Sequence, residues 1–248
     1  MKRKTFSYVT GLIAFLLSGC AGIPTTPDNF EKIIIETDGI NFVTYEKKDI
    51  KPQKTLRFYL EGNGAPNPAK PIGLLLATDD DYKNIVVLTR PCQYIEADVC
   101  SNESIWTTQR YHPEILKAMK EMVVFYAKKY RPSDIEFVAY SDSAPIAFYL
   151  AQNLGYTKKI ITVAGVLDID SYAKQNKLPS FKNAQDVHLN KAFVARIPQI
   201  HYVGSEDDVV TKSMTERFVS NLHQPKDIQV KIVHGINHTD WDKVKLDY

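Results

Sequence analysis

Short apolar runs separated by longer mixed segments dominate the sequence, and each run predicts a strand. Ile85–Leu88 is apolar at every position, which is expected of a strand buried on both faces of a parallel sheet. Ile228–Val233 instead alternates apolar and polar residues, which indicates an edge strand. The other predicted strands cover 33–35, 40–45, 56–60, the run that begins at 135, 160–163 and 200–203.

One long amphipathic helix is predicted between two prolines. Pro113 suits the first helical turn, where a missing N–H is tolerated, and Pro132 ends the helix. Residues 113–130 place apolar side chains on one face, at Ile115, Met119, Met122 and Tyr126. Further helices are predicted from Pro71 to Ala77, from the turn after the 135 strand to Leu154, where Gly155 ends it, and from Lys212 to Leu222.

Strands that alternate with helices predict an α/β fold, a mostly parallel, doubly wound sheet with helices on both faces. The first two strands differ, because the Asp38-Gly39 turn between them favours an antiparallel hairpin. After the sixth strand, residues 167–196 are polar without a clean period and predict an insertion over the end of the sheet, either a lid or a passive cover. Ligands of such sheets bind at the carboxyl ends of the strands.

Length and charge limit the number of domains but say little about the function. The 248 residues are enough for one α/β domain with a sizeable core, or at most two small domains. A net charge of +2 gives no indication of nucleic-acid binding. The basic balance owes much to Lys2, Arg3 and Lys4, and these residues open a targeting segment.

The amino terminus has the pattern of an export signal. The three basic residues precede an apolar stretch from Thr5 to Leu17, which is too short for a comfortable membrane span. The ending Leu17-Ser18-Gly19-Cys20 resembles a bacterial lipobox, which implies cleavage after residue 19 and lipidation of Cys20; a plain secretory signal is the alternative. Ala21, rather than Asp, follows the cysteine, and the resemblance to sorted bacterial lipoproteins then favours the outer membrane, facing the periplasm, in a Gram-negative host. We expect a signal peptide at 1–19, a tether at 20–31 and the folded domain at 32–248.

The other two cysteines are Cys92 and Cys100. In an oxidising periplasm a disulfide that closes this short loop is expected, with two buried thiols as the alternative. No second cluster of Cys or His residues stands at metal-ligand spacing, so neither a metal nor another cofactor is expected.

The segment Ile135-Glu136-Phe137-Val138-Ala139-Tyr140-Ser141 leads from an apolar strand to a serine on a sharp turn before a helix. This layout resembles the G-x-S-x-G nucleophile elbow of α/β-hydrolases, with Ala139 and Ser143 at the glycine positions. Small residues are needed there because the turn is tight. Ser143 fits worse as the nucleophile, since Pro145 would occupy one of its flanking positions. A strand followed by a serine N-cap and a helix is the structural alternative.

A serine nucleophile needs a base and a group that orients the base. His238 follows the last strand and a glycine turn, which places its ring over the end of the sheet; His234, at the strand terminus, is the second candidate. A loop histidine bonded to backbone is the alternative for either position.

The acid candidate is Asp207, which follows a strand and a glycine turn in Val203-Gly204-Ser205-Glu206-Asp207. Asp208 is one step away, and Asp168 and Asp170 follow the preceding strand at a second location that some hydrolases use. The alternative for each is a turn carboxylate or an N-cap. The chain order Ser, Asp, His is the order of α/β-hydrolases.

An oxyanion intermediate needs preorganised N–H donors. One is expected from the backbone of Asp142, directly after the nucleophile, and the other from Asn63 in Glu61-Gly62-Asn63-Gly64. Glu61 occupies the place of a histidine in related loops. A simple glycine turn is the alternative for this segment.

Several short segments together resemble exported proteobacterial lipoproteins of the α/β-hydrolase fold with unassigned substrate. They are Arg90-Pro91-Cys92-Gln93-Tyr94, Cys100, Trp106-Thr107, Arg110-Tyr111, Ala164-Gly165, Leu167-Asp168 and Ala195-Arg196-Ile197-Pro198. The resemblance implies the α/β-hydrolase fold and a serine-hydrolase-type site, and it implies no substrate. Arg90 and Arg110 lie near the carboxyl end of the sheet and are candidates for binding a substrate carboxylate or phosphate, or else for binding loop carbonyls and acids.

These features predict a membrane-anchored serine hydrolase that cleaves an ester or related acyl bond in a small molecule or a lipid. The alternative is a catalytically degraded lipoprotein of the same fold that binds a ligand or partner in the cell envelope. The sequence does not specify an oligomeric state.

Overall fold

The computed structural model of the chain describes residues 24–37, 40–62, 70–95, 103–181, 184, 187 and 190–248. Four predicted features lie outside these residues: the export signal with Cys20, the turn at 38–39, Asn63, and Cys100 as the partner of Cys92. They stay predictions. No helix among the described residues is long and apolar enough to span a membrane.

Eight strands form one sheet in the order β1-β2-β4-β3-β5-β6-β7-β8. The strands are β1 Phe30–Thr37, β2 Ile40–Lys47, β3 Leu56–Leu60, β4 Ile85–Leu88, β5 Ile135–Tyr140, β6 Thr157–Val163, β7 Gln199–Gly204 and β8 Ile228–Val233. β2 is antiparallel to β1 and β4, and all pairs from β4 through β8 are parallel. The predicted opening hairpin and the predicted edge position of β8 are therefore confirmed.

Three strands, β3, β4 and β8, have the predicted limits: the first two are buried along their whole length and β8 lies at the edge of the sheet. β6 begins at Thr157, three residues earlier than predicted. Its first residues include the polar Lys158 and Lys159, yet Thr157 and Lys159 already pair with β5. Backbone hydrogen bonding, which does not depend on apolar side chains, sets this boundary.

Helices cover both faces of the sheet, as predicted. They are α1 Ile72–Asp79, α2 Pro113–Tyr130, α3 Ala144–Leu154, α4 Ile169–Gln175, α5 Lys191–Val194 and α6 Lys212–Ser220. The apolar faces of α2, α3 and α6 pack in one core cluster, and α1 packs in a second cluster with Trp241 on the opposite face of the sheet. α2 begins and ends as predicted, whereas α6 ends two residues before the predicted Leu222.

The predicted insertion, residues 167–196, follows β6 and contains α4 and α5. Its apolar residues Leu167, Ile169, Tyr172 and Val194 are buried in the same cluster as α2 and α3. The segment is therefore more than a polar cover, because it completes the larger core above one end of the sheet.

Candidate active site

Ser141 lies at the end of the fully buried strand β5, in a single 3₁₀ turn that leads into α3. Its backbone has φ of 53°, in the left-handed region. A serine held in this region costs about 1–3 kcal/mol and persists only where surrounding contacts fix it. One such contact is the hydrogen bond from Val166 N–H to the Ser141 carbonyl, 2.9 Å long. The strand, strained turn and helix have the geometry of a nucleophile elbow.

The other serine of the elbow has a structural contact. Ser143 is fully buried, and its hydroxyl donates a short hydrogen bond to the Glu61 carbonyl. It makes no side-chain capping hydrogen bond at the start of α3. Ser143 therefore links the elbow to the end of β3, and Ser141 presents the hydroxyl to the site.

The His238 ring lies against Ser141, with Nε2 2.9 Å from the serine Oγ. The Tyr140 hydroxyl donates to the His238 carbonyl, which ties the loop after β8 to the strand that carries Ser141. Gly204 at the end of β7 also shapes this loop, since a Cβ there would lie 2.2 Å from the Ile236 carbonyl oxygen. His234, the second candidate, is exposed at the strand end.

Asp207 completes a hydrogen-bonded chain with His238. Its Oδ2 lies 2.9 Å from His238 Nδ1, and its Oδ1 accepts from the N–H groups of Val209 and Val210. The carboxylate side chain is fully buried, and each of its oxygens has a hydrogen-bond partner within the protein.

The other acid candidates stand elsewhere. Asp208 is exposed, and Asp170 is exposed in the first turn of α4. Asp168 caps α4 by accepting from Ser171 N–H, so it has the N-cap role that was the alternative interpretation.

Asp142, the predicted oxyanion residue, is buried in a cluster of positive and aromatic groups. Arg110 Nη1 donates to its Oδ2 over 2.6 Å, and the Tyr111 hydroxyl donates to its carbonyl over 2.9 Å. Arg90 Nη1 donates to the same carbonyl over 3.4 Å. The buried carboxylate raises the pKa of Arg110, although desolvation alone would lower it, whereas desolvation dominates at Arg90 and lowers its pKa. Both arginines thus contact the Asp142 carboxylate and loop carbonyls, which was the alternative to substrate binding for these residues.

Glu61, at the end of β3, is fully buried beside the elbow. Its carboxylate accepts from the N–H groups of Gly73 and Leu74 at the start of α1. Burial raises its pKa to about 7, against the opposing effect of these N–H donors. It holds α1 against the end of β3, a role that the sequence did not indicate.

Three site contacts were missed by sequence reasoning: Tyr140 to His238, Tyr111 to Asp142, and Gln93 Nε2 to the Gly62 carbonyl. Tyr140 is directly before the candidate nucleophile and Tyr111 is directly after the candidate Arg110, so their positions in the sequence could have indicated that they lie at the site. Among the described residues, no three His, Cys, Asp or Glu side chains are placed to hold a metal ion.

A cleft of about 240 Å³ opens between the first turn of α3, the insertion and α6. Pro145, Leu167 and Phe218 form apolar walls, and Lys191 stands among the polar lining residues. None of Ser141, Asp207 and His238 lines it, so the cleft is separate from the reacting groups.

Comparison with solved structures agrees with this architecture. Est1E from Butyrivibrio proteoclasticus superposes with a TM-score of 0.59 at 16% identity, covering 84% of this chain and 90% of that one. The Pyrococcus furiosus esterase Pf2001 gives 0.56 at 13% identity, covering 84% and 82%. An α/β serine hydrolase homologue from Coxiella burnetii gives 0.55 at 12% identity, covering 84% and 88%. The chain has the α/β-hydrolase fold.

The α/β-hydrolase fold was predicted, and that prediction is confirmed. The low identities support the fold alone, and function has to be argued from the site. No protein-family model matches the sequence, and no curated protein matches it significantly. In this α/β-hydrolase sheet, the site residues Ser141, Asp207 and His238 follow the carboxyl ends of β5, β7 and β8, where ligands of such sheets bind.

Proposed function

We propose that the protein is a serine hydrolase that cleaves an ester or related acyl bond. One observation carries the proposal: Ser141 Oγ, the His238 ring and the Asp207 carboxylate form a continuous chain through two 2.9 Å hydrogen bonds. This arrangement activates a hydroxyl that would otherwise be a weak nucleophile at neutral pH.

In the proposed mechanism, Ser141 Oγ attacks the substrate carbonyl while His238 Nε2 accepts its proton. Asp207 holds Nδ1–H, which keeps Nε2 free to accept, and stabilises the imidazolium that forms. The imidazolium then protonates the leaving group, and a water molecule releases the acyl group from Ser141 by the same steps in reverse. The carbonyl oxygen becomes negative in each tetrahedral intermediate, and the amide of Asp142 is its first donor, with the amide of Asn63 as the second.

The test is covalent labelling with a fluorophosphonate probe. The purified chain without the predicted export signal, residues 21–248, should be labelled, and Ser141→Ala should abolish the labelling. This chain keeps the whole of β1, which begins at Phe30, two residues before the predicted start of the domain. Ser143→Ala is the matched control, because it changes the other elbow serine and should leave labelling intact in a folded protein. Labelling that survives Ser141→Ala would show that another serine is the nucleophile, and an unlabelled folded wild-type domain would favour the ligand-binding alternative.

The substrate class follows from a second measurement. A panel of p-nitrophenyl esters with increasing acyl length should show turnover that Ser141→Ala removes. A preference for short chains favours small-molecule esters, and a preference for long chains favours lipids.

Anchoring at the periplasmic face of the outer membrane is part of the proposal and rests on the resemblance of Leu17-Ser18-Gly19-Cys20 to a lipobox. Expression of the full chain with an alkyne fatty acid should label it, and the label should sediment with outer membranes. Cys20→Ala should lose both the label and the sedimentation, and retention of both would contradict lipidation.

A further inference from the structure

The Arg90–Tyr94 turn follows β4 and lies beside the elbow, yet the proposed mechanism uses none of its side chains. All five of its residues are buried. Cys92 and Tyr94 have φ of 65° and 60°, in the left-handed region that residues other than glycine rarely adopt. Strained backbone of this kind persists where the surrounding contacts over-determine it, and it clusters at functional sites.

Both ends of the Gln93 side-chain amide make hydrogen bonds, one within the turn and one to Gly62. Its Oε1 accepts from Arg90 N–H over 2.8 Å, which fixes the orientation of the amide. Its Nε2 then donates to the Gly62 carbonyl over 3.0 Å. In a trans peptide the carbonyl and the N–H point in opposite directions. A bond that holds the Gly62 carbonyl therefore restrains the peptide that carries the predicted Asn63 donor.

Arg90 extends from the same turn to the other predicted donor. Its guanidinium contacts the Asp142 carbonyl through Nη1 and donates to the Arg110 carbonyl through Nη2 over 2.6 Å. Tyr111 and Arg110 hold the carbonyl and carboxylate of the same aspartate. Groups from two loops thus fix Asp142 on the side away from Ser141.

The remaining side of the Asp142 peptide is fixed from the elbow. The Ser141 carbonyl accepts from Val166 N–H, and the Asp142 N–H belongs to the same peptide and points the opposite way. Val166 therefore restrains the peptide that carries this N–H, and Arg90, Arg110 and Tyr111 fix the rest of Asp142 through its carbonyl and carboxylate.

We propose that the Arg90–Tyr94 turn aligns the two halves of the oxyanion hole, with Gln93 as the positioning residue on Gly62 and Arg90 as the positioning residue on Asp142. The inference rests on the proposed hydrolase function. Oxyanion donors are effective only when they are aimed in advance at the charge that develops, and a misplacement of about 1 Å costs about 10²-fold in rate. A single turn that bonds to the carbonyls of both Gly62 and Asp142 restrains the separation of these two residues.

Gln93→Met tests the role of Gln93, because methionine has a similar size but cannot bond to Gly62. With p-nitrophenyl acetate as substrate, kcat should fall about 10- to 100-fold while KM changes less than about threefold. Gln199→Met is the matched control. Gln199 is as buried as Gln93 and also donates to backbone carbonyls, those of Val194 and Ile197. It is the first residue of β7, at the end of that strand away from the candidate site. That variant should keep the wild-type kcat.

Gln93→Glu provides a second test that does not depend on how well the methionine variant folds. A protonated glutamic acid can accept from Arg90 N–H and donate to the Gly62 carbonyl, as the amide does, whereas the ionised form has no donor. The ratio of variant kcat to wild-type kcat should therefore rise as the pH is lowered. A ratio that does not depend on pH would overturn the role of Gln93.

The outcomes separate this inference from the proposed function. If the wild-type domain turns over ester and is labelled at Ser141, but folded Gln93→Met keeps full kcat, the inference is wrong and the hydrolase proposal stands. If the wild-type domain is inert, both are wrong. An equal loss of kcat in Gln93→Met and Gln199→Met would also overturn the inference, because it would indicate a general effect of core damage.

Discussion

The hydroxyl of Tyr140 donates a 2.8 Å hydrogen bond to the backbone carbonyl of His238. Tyr140 is the residue directly before Ser141, and its ring centre lies 5.6 Å from the His238 ring. The strand that carries the candidate nucleophile thereby also holds the loop that carries its candidate base. In the proposed mechanism, this contact helps to hold the His238 ring at the distance from Ser141 over which the proton is transferred.

Tyr140→Phe removes this hydrogen bond and keeps the aromatic contact. A hydrogen bond of this kind contributes about 1 kcal/mol, so we expect kcat for p-nitrophenyl acetate to fall about fivefold. The fluorophosphonate labelling rate should fall by a similar factor, because both reactions need the His238 ring in place. Unchanged rates in a folded variant would show that the loop holds its position without Tyr140.

Asp207→Asn tests whether Asp207, rather than its neighbour Asp208, is the acid that orients His238. The asparagine amide can direct an N–H at His238 Nδ1, which favours the wrong tautomer, and the equivalent change in a serine protease triad lowers kcat about 10⁴-fold. Asp208→Asn changes the adjacent exposed carboxylate and should leave kcat within about twofold. A large loss in the Asp208 variant with little loss in the Asp207 variant would reverse the assignment.

Gly204→Ala tests the close approach of the histidine loop to β7. The added Cβ would lie 2.2 Å from the Ile236 carbonyl oxygen, so the loop has to move. Overpacking of this kind costs about 1–3 kcal/mol, and we expect the unfolding free energy to fall by that amount. Activity should fall more than tenfold at temperatures where the variant is folded, because His238 is two residues from the contact. Denaturant melts and ester turnover measure the two effects separately.

Glu61 predicts a dependence of stability on pH. Burial raises its pKa from 4.5 to about 7 in the folded protein, so the folded state binds this proton more tightly than the unfolded chain. Its contribution to stability is fully present below pH 4.5 and is lost as the pH rises through 7, a change of about 3 kcal/mol. Glu61→Gln cannot ionise, so its unfolding free energy should lack this decline. Parallel pH slopes for the two proteins would contradict the assignment.

Local pattern was enough to predict most of the fold and the three residues that the structure brings together in the candidate site. Ile85–Leu88 and Pro113–Tyr130 were predicted with their observed limits, because burial and prolines mark their ends in the sequence. Ser141, Asp207 and His238 were found because each follows a strand in a sheet whose carboxyl ends meet at one edge.

Other features depend on contacts between distant parts of the chain. Asp207 and Asp208 are neighbours in one turn, and only the folded structure shows which carboxylate is buried against His238. The bond between Gln93 and Gly62 joins residues 31 positions apart. Arg110 was a candidate for substrate binding, and its pairing with Asp142, 32 positions away, has no local sequence signal.

The burial of the insertion after β6 has a consequence for the cleft that it lines. Swinging 167–196 away from the sheet would expose Leu167, Ile169, Tyr172 and Val194, at a cost on the order of 8 kcal/mol. An open form would then occur in roughly one molecule in 10⁶. The described part of the insertion is therefore held in place by its own core packing. The cleft that Leu167 and Ile169 line changes shape by replacement of side chains rather than by movement of this segment.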